Sequence, residues 1–195
     1  MILPILAYGC NVLRQHCHNI EPDFPNLDDL ISSMWETMYN ANGCGLAAPQ
    51  IGQCINLFVV DSKSTYESYD PAEQAQNFEA GDTGIVETFV NARIMSRSER
   101  VWAQEEGCLS IPGLDGLVTR NWAITIEYQD QSFEKQIKSF AGKTARMIQH
   151  EYDHTQGILY LDYLKPLKRQ LMESKLKKLA KGYVKPNYPM KFVKD

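Results

Sequence analysis

No two of the five cysteines, Cys10, Cys17, Cys44, Cys54 and Cys108, form a CxxC pair, and their number is odd. That excludes a disulfide framework and a structural zinc knuckle, and a reducing, cytoplasmic location is expected. Nowhere do apolar residues run on for the roughly 18 to 20 positions needed to cross a bilayer. The start, Met1-Ile2-Leu3-Pro4-Ile5-Leu6, is too short for a secretory leader, is broken by proline and has no basic residue before Arg14, so neither export nor membrane insertion is expected. Repeats and a convincing linker are absent too, and residues 1–195 read as a single domain. A chain of 195 residues can bury roughly 70% of its unfolded surface without staples. With 44% hydrophobic and 23% charged residues, disorder, collagen and coiled coil are excluded.

Charge is unevenly spread. The net −4 conceals a +8 over residues 165–195, with ten Lys/Arg against Glu173 and Asp195, and a −12 over the rest. Leu164, Leu167, Leu171, Leu176 and Leu179 fall on one side of this segment, with Lys168, Arg169, Lys175, Lys177, Lys178 and Lys181 mostly elsewhere. The spacing predicts a basic amphipathic helix entered through Pro166 and left at Gly182. A solvated face on a packed helix explains the charges; contact with a polyanion such as RNA is the alternative. Nothing in this pattern points to DNA.

Asn26 is placed to cap a helix whose apolar positions, Leu27, Leu30, Ile31, Met34, Trp35, Met38 and Tyr39, repeat at helical spacing and end near Asn42-Gly43. Short segments rich in β-formers follow at Ile55 to Val60, Val86 to Ile94, Trp122 to Tyr128 and Ser132 to Ile137, the last two joined as a hairpin through Gln129-Asp130-Gln131. Between Asp61 and Ile85 no Val, Ile or Leu occurs. That stretch, 62–84, reads as a long surface excursion in which Tyr66 and Tyr69 pack locally. A further helix is predicted from about Lys143 to Thr155, stopped at Gly157. The order helix, strands, helix, helix is not that of βαβ units. The expected fold class is α+β, a mostly antiparallel sheet around a central helix, with the basic helix C-terminal.

The central helix carries His150-Glu151-Tyr152-Asp153-His154, an HExxH. Residues four apart share a helix face, so both imidazoles reach one metal ion while Glu151 faces its open side. His16 and His18, two apart with no acid between them, read as solvated. A catalytic site needs a third protein ligand. The histidine that would complete the longer HExxHxxGxxH series is replaced by Tyr160; Glu173 lies among lysines that explain it as a surface pair; a cysteine thiolate is the third candidate. Cys108 stands out within Glu106-Gly107-Cys108-Leu109-Ser110-Ile111-Pro112-Gly113, where glycine permits close backbone approach. The third notable segment is Gly43-Cys44-Gly45-Leu46-Ala47-Ala48-Pro49-Gln50, small residues around one amide donor. It lacks the lysine and hydroxyl of a phosphate loop, and a plain turn accounts for its composition equally well.

Together, GCGLAAPQ at 43–50, EGCLS at 106–110 and QHEYDH at 149–154 resemble the three signature motifs of the peptide deformylase family, in that family's order. The resemblance runs from Ile2-Leu3-Pro4-Ile5 to Leu164-Lys165-Pro166-Leu167. It implies an enzyme that removes the N-formyl group from the initiator methionine of nascent chains. By position it implies Cys108, His150 and His154 as metal ligands, Glu151 as general base and acid, Gln50 and the Leu109 N–H as oxyanion donors, and Gly45 as a backbone contact to substrate. Fe(II) is the implied metal, with zinc, nickel or cobalt able to occupy the site; spacing alone would indicate zinc. An ion pair of Glu106 and Arg120 is implied behind the Cys108 loop. Cys44 replaces a residue that is frequently small and aliphatic and borders the substrate. Met147, one turn before Glu151, is expected in the wall of the methionine pocket. The nascent peptide is the implied partner, and the basic helix offers a contact to the ribosome. The chain departs from the family at Asn11, Thr155 and the longer 62–84 excursion. A zinc endopeptidase is the competing reading, and it needs no Cys108.

Overall fold

Leu57-Phe58-Val59-Val60-Asp61 is buried at every position. Successive side chains of a strand point to opposite faces, so such a run requires cover on both. In the computed structural model, which describes residues 1–193, this strand is β3 (Leu57–Asp61). The elements before it are β1 (Ile5–Leu6), α1 (Leu27–Asn40) and β2 (Gly45–Ala47). After it come α2 (Lys63–Ser68), α3 (Pro71–Asn77), β4 (Val86–Arg97), β5 (Val101–Glu106), β6 (Gly116–Asn121), β7 (Ala123–Gln129) and β8 (Lys135–Ala141). The chain continues with α4 (Gly142–Thr155), α5 (Pro166–Ala180) and β9 (Met190–Lys191). Lys194 and Asp195, the end of the basic tail, lie outside the described residues.

The protein is mixed α/β with antiparallel sheets. Five strands in the order β2-β3-β4-β7-β8 pair antiparallel throughout, β5 and β6 form a separate antiparallel pair, and β9 lies parallel to β1. The large sheet is covered on both faces. Leu57 and Val59 pack with Ile31, Met34 and Met38 of α1, whereas Phe58 and Val60 pack with Ala145, Met147 and Ile148 of α4. The same alternation sends Leu46 of β2 to one cluster and Ala47 to the other. Helix α4 is therefore held from behind by the sheet. A third apolar cluster joins Ile111, Leu114 and Val118 to Tyr160, Leu161 and Leu164 and to Met172, Leu176 and Leu179 of α5.

Several expectations need correction. Asn26 precedes α1 in a left-handed conformation (φ 55°), and its side chain caps nothing. Asn tolerates that backbone, and Asp28 and Asp29 supply the negative charge at the helix start. The five leucines of the C-terminal segment do not form one buried stripe: Leu167 and Leu171 are 69% and 71% exposed. The buried face of α5 runs through Met172, Leu176 and Leu179, and Leu171 lies one residue, about 100°, away from it. The 62–84 excursion lies at the surface with most of its residues exposed, and within it are α2 and α3, which were not expected there. Phe78 is buried against Tyr66 and Tyr69, the Ser62 and Thr144 hydroxyls are 2.9 Å apart, and Thr144 also bonds Asp82 at 2.9 Å. The excursion thus braces the start of α4. β5 and β6 were not legible in the sequence because the usual alternation is inverted: Val101 and Leu117 face outward while Glu106 and Arg120 are buried.

Candidate functional site

One face of α4 and the chain just after β5 build the site. His150 and His154 are four residues apart on α4, with ring centroids 5.1 Å apart. Cys108 follows the last residue of β5, Glu106, by two positions. One donor atom each of Cys108, His150 and His154 lies within 4.8 Å of the others, and Cys108 Sγ is 3.2 Å from His154 Nε2. His150 Nδ1 is 3.0 Å from Glu106 Oε2, which leaves Nε2 as its donor atom. One thiolate and two imidazoles suit zinc or ferrous iron. Glu151 Oε2 is buried with no hydrogen-bond partner among the described residues, and so is His154 Nδ1, the ring nitrogen that does not face Cys108. A polar molecule or ion is the natural complement of such atoms.

The charges behind the donor set form a closed network. Arg120 holds Glu106 through two bonds, Nε to Oε1 at 2.7 Å and Nη2 to Oε2 at 2.9 Å, and reaches Asp153 Oδ2 at 2.7 Å through Nη1. Arg146 adds a second guanidinium on Glu106 and donates to the carbonyls of Val118 and Trp102 at 3.1 and 2.8 Å. Arg120 and Glu106 are 4% and 7% exposed, so each charge depends on its partners for solvation. Burial raises the Glu106 carboxyl, but hydrogen bonds from His150 and Arg120 outweigh it and hold the group well below the usual range. Burial lowers His150, yet its bonds to Cys108 and Glu106 raise it above the ordinary imidazole, while burial pushes His154 well down. Glu151 is pushed up to about 7 by burial, against the lowering charges of His150 and Arg120. Identically named groups thus separate by surroundings: the cations around Glu106 favour its anion, while burial shifts Glu151 toward its neutral form.

A cavity of about 500 Å³ opens onto these groups. Gln50, Cys44, Gly45, Leu109 and Met147 line it beside Cys108, His150 and Glu151. Gln50 is buried; its Oε1 accepts from the Ala47 N–H at 2.8 Å, which directs Nε2 toward Cys108 Sγ at 3.5 Å and Ser110 Oγ at 3.3 Å. Gly45 is required by close approach, since a Cβ there would lie 2.7 Å from Cδ and Cγ of Glu151. At Gly107 a Cβ would fall 2.5 Å from Asp115 Oδ1, the tip of an exposed side chain that can swing aside. Cys44 is exposed at the mouth. His16 and His18 are exposed and are not part of the donor cluster. Cys17 and Cys54 lie side by side, Sγ to Sγ 3.7 Å, away from the cavity.

Sequence reasoning missed three contributors. Arg146 and Asp153 were not singled out, although Arg146 precedes His150 by one helical turn and Asp153 stands inside the HExxH itself. The third is the segment Pro186-Asn187-Tyr188, which also lines the cavity; no local signal marked it.

Residues 2–170 match the family model described as polypeptide deformylase. Over 193 residues the chain is 45% identical to the peptide deformylase of Flavobacterium psychrophilum, covering 99% of this chain and 98% of that one. It is 44% identical over 194 residues to the peptide deformylase of Christiangramia forsetii, covering 98% and 96%. Among solved structures, that of a peptide deformylase from Ehrlichia chaffeensis superposes with a TM-score of 0.79 at 29% identity, over 91% of this chain and 96% of that one. A plant peptide deformylase gives 0.77 at 31% identity, over 93% and 90%.

Proposed function

The chain belongs to the polypeptide deformylase family, and on that premise we propose that Cys108, His150 and His154 hold the catalytic metal while Glu151 moves the proton. The activity is metal-dependent removal of the formyl group from the N-terminal methionine of newly made proteins, with release of formate. The observation that carries the residue assignment is the unpartnered, buried Glu151 oxygen beside a cysteine and two histidines with donor atoms within 4.8 Å of one another.

A divalent ion bound there supplies Lewis acidity, lowering the pKa of water and stabilising negative charge on a carbonyl oxygen. Glu151, with its carboxyl near 7, takes the proton of the attacking water and returns it to the leaving amine nitrogen. Water and the formyl amide thereby become formate and a free amino group. As negative charge develops on the formyl oxygen, the Gln50 amide and the Leu109 N–H donate to it. Gly45 lets the substrate backbone lie against β2, and Met147 and Cys44 border the methionine side chain. Glu106 and Arg120 orient His150 from behind.

The finer parts of the reading rest on the family resemblance, which is what points to iron, and on the surface. Fe(2+) is the working metal, with Zn, Ni or Co able to occupy the isolated protein, because mixed sulfur and nitrogen donors suit all four. The architecture is the large sheet around the HExxH helix, residues 1–195 act as one catalytic domain, and the protein works in the cytoplasm, where five free thiols persist. Among the described residues no helix is long and apolar enough to cross a membrane. The partner is the formyl-methionyl nascent chain, and the exposed lysines of the C-terminal helix, Lys168, Lys175, Lys177 and Lys178, offer the ribosome a salt-sensitive contact. Anaerobically purified protein should release formate from formyl-Met-Ala-Ser and carry about one metal per chain in the same sample. Cleavage of internal peptide bonds with no formate would overturn the assignment in favour of an endopeptidase.

A further inference from the structure

The family model matches residues 2–170, but the wall of the cleft continues beyond them. After α5 the chain returns along the N-terminal strand, with Met190 opposite Ile5 in the parallel pair. The Ile5 and Ala7 N–H groups donate to Pro189 O and Lys191 O, both at 2.9 Å. Just past β1, the Tyr8 N–H donates to Ser110 O at 2.9 Å. One short segment therefore holds both the C-terminal tail and the loop that carries Cys108, and Pro186, Asn187 and Tyr188 come to line the cavity. The Tyr188 hydroxyl donates to Leu109 O at 2.8 Å.

Leu109 sits between two peptide planes. The plane before it carries Cys108 O and the Leu109 N–H, and that carbonyl accepts from the Ile111 N–H at 2.8 Å. The plane after it carries Leu109 O, whose partner among the described residues is Tyr188. With both planes tied, the backbone angles of Leu109 are fixed and so is the direction of its N–H. Oxyanion stabilisation depends on that direction, because a donor that must reorient during the reaction loses most of its advantage. The reacting carbonyl must lie at the Cys-His-His donor set. An exposed residue on the rim, such as Asn187, therefore meets a part of the substrate farther along its chain.

We infer that Tyr188 is a positioning residue for the Leu109 N–H, and that Pro186–Tyr188 form the wall facing the residues that follow formyl-methionine. The inference rests on the deformylase reading above. Tyr188→Phe removes one oxygen and keeps the ring in place. Its kcat on formyl-Met-Ala-Ser should fall by about two- to tenfold, the worth of one neutral hydrogen bond, with KM, metal content and thermal midpoint close to wild type. A wild-type kcat, or a loss that tracks metal or melting temperature, would overturn the positioning role. Asn187→Asp places a negative charge on the exposed rim. At low salt it should shift the kcat/KM ratio of formyl-Met-Lys-Ser over formyl-Met-Glu-Ser by about twofold or more toward lysine, and an unchanged ratio would overturn the wall. Wild-type enzyme is assayed alongside. No formate from wild type strikes the deformylase reading itself, whereas normal wild-type turnover with unaffected variants strikes only this inference.

Discussion

Glu106 and Glu151 are both buried glutamates within reach of His150, yet their surroundings give them opposite work. Two guanidiniums and an imidazole surround Glu106, while Glu151 keeps one oxygen without a partner. Glu151→Gln is isosteric and touches no metal donor. It should retain stoichiometric metal while kcat falls by about 10²- to 10⁴-fold, and near-normal formate release would remove Glu151 from the mechanism. Arg120→Ala leaves Asp153 without its guanidinium and Glu106 with only Arg146 beside His150. Breaking a buried pair of this kind typically costs about 3 to 5 kcal/mol, and His150 also loses a fixed partner. Denaturant unfolding and metal titration should both report the loss; unchanged metal affinity would mean that the pair does not orient His150.

At the scale of elements, α4 is held by the sheet behind it and by the 62–84 excursion at its start, so its two histidines are presented on a rigid support. α5 is held along a narrower line, by Met172, Leu176 and Leu179. Leu176→Ala should destabilise the protein by about 2 to 5 kcal/mol, whereas Leu171→Ala, on the exposed side, should stay within about 0.5 kcal/mol of wild type. Equal effects in thermal or denaturant unfolding would contradict the observed facing of α5. The regular helical spacing of α1 was visible in the sequence because it buries one broad face, whereas α4, buried almost all round, shows no such stripe and was placed by its stop at Gly157. The leucines of α5 misled, because apolar residues spread over more than one face do not reveal which face is covered.

Across the whole molecule, the two ends of the chain meet. Arg14 near the N-terminus and Arg169 in α5 both bind Asp162, at 2.5 and 2.8 Å. Burial raises the Asp162 carboxyl, but the hydrogen bond from Arg14 and those from Leu159 and Arg169 outweigh it and hold it below the usual range. A depressed carboxylate contributes stability that is present above its unfolded pKa of about 4 and is lost as pH falls through the folded value. Asp162→Asn should therefore lower the melting temperature at neutral pH and flatten its decline below about pH 4. A parallel acid limb in wild type and variant would show that the junction carries no such linkage.

The sequence by itself placed His150, Glu151 and His154 on one face of one helix, because that depends on spacing within a few residues; the family resemblance, not spacing, singled out Cys108 as their companion, and residues 43–50 read as a small-residue loop rather than the strand β2 that they contribute to. Only the tertiary structure decided that Arg146 and Asp153 close the network behind His150. It also decided that residues 62–84 brace α4, and that Pro186–Tyr188 return to complete the cleft. Those contacts join residues far apart in the chain, and side-chain spacing along one element holds no information about which distant segment will pack against it.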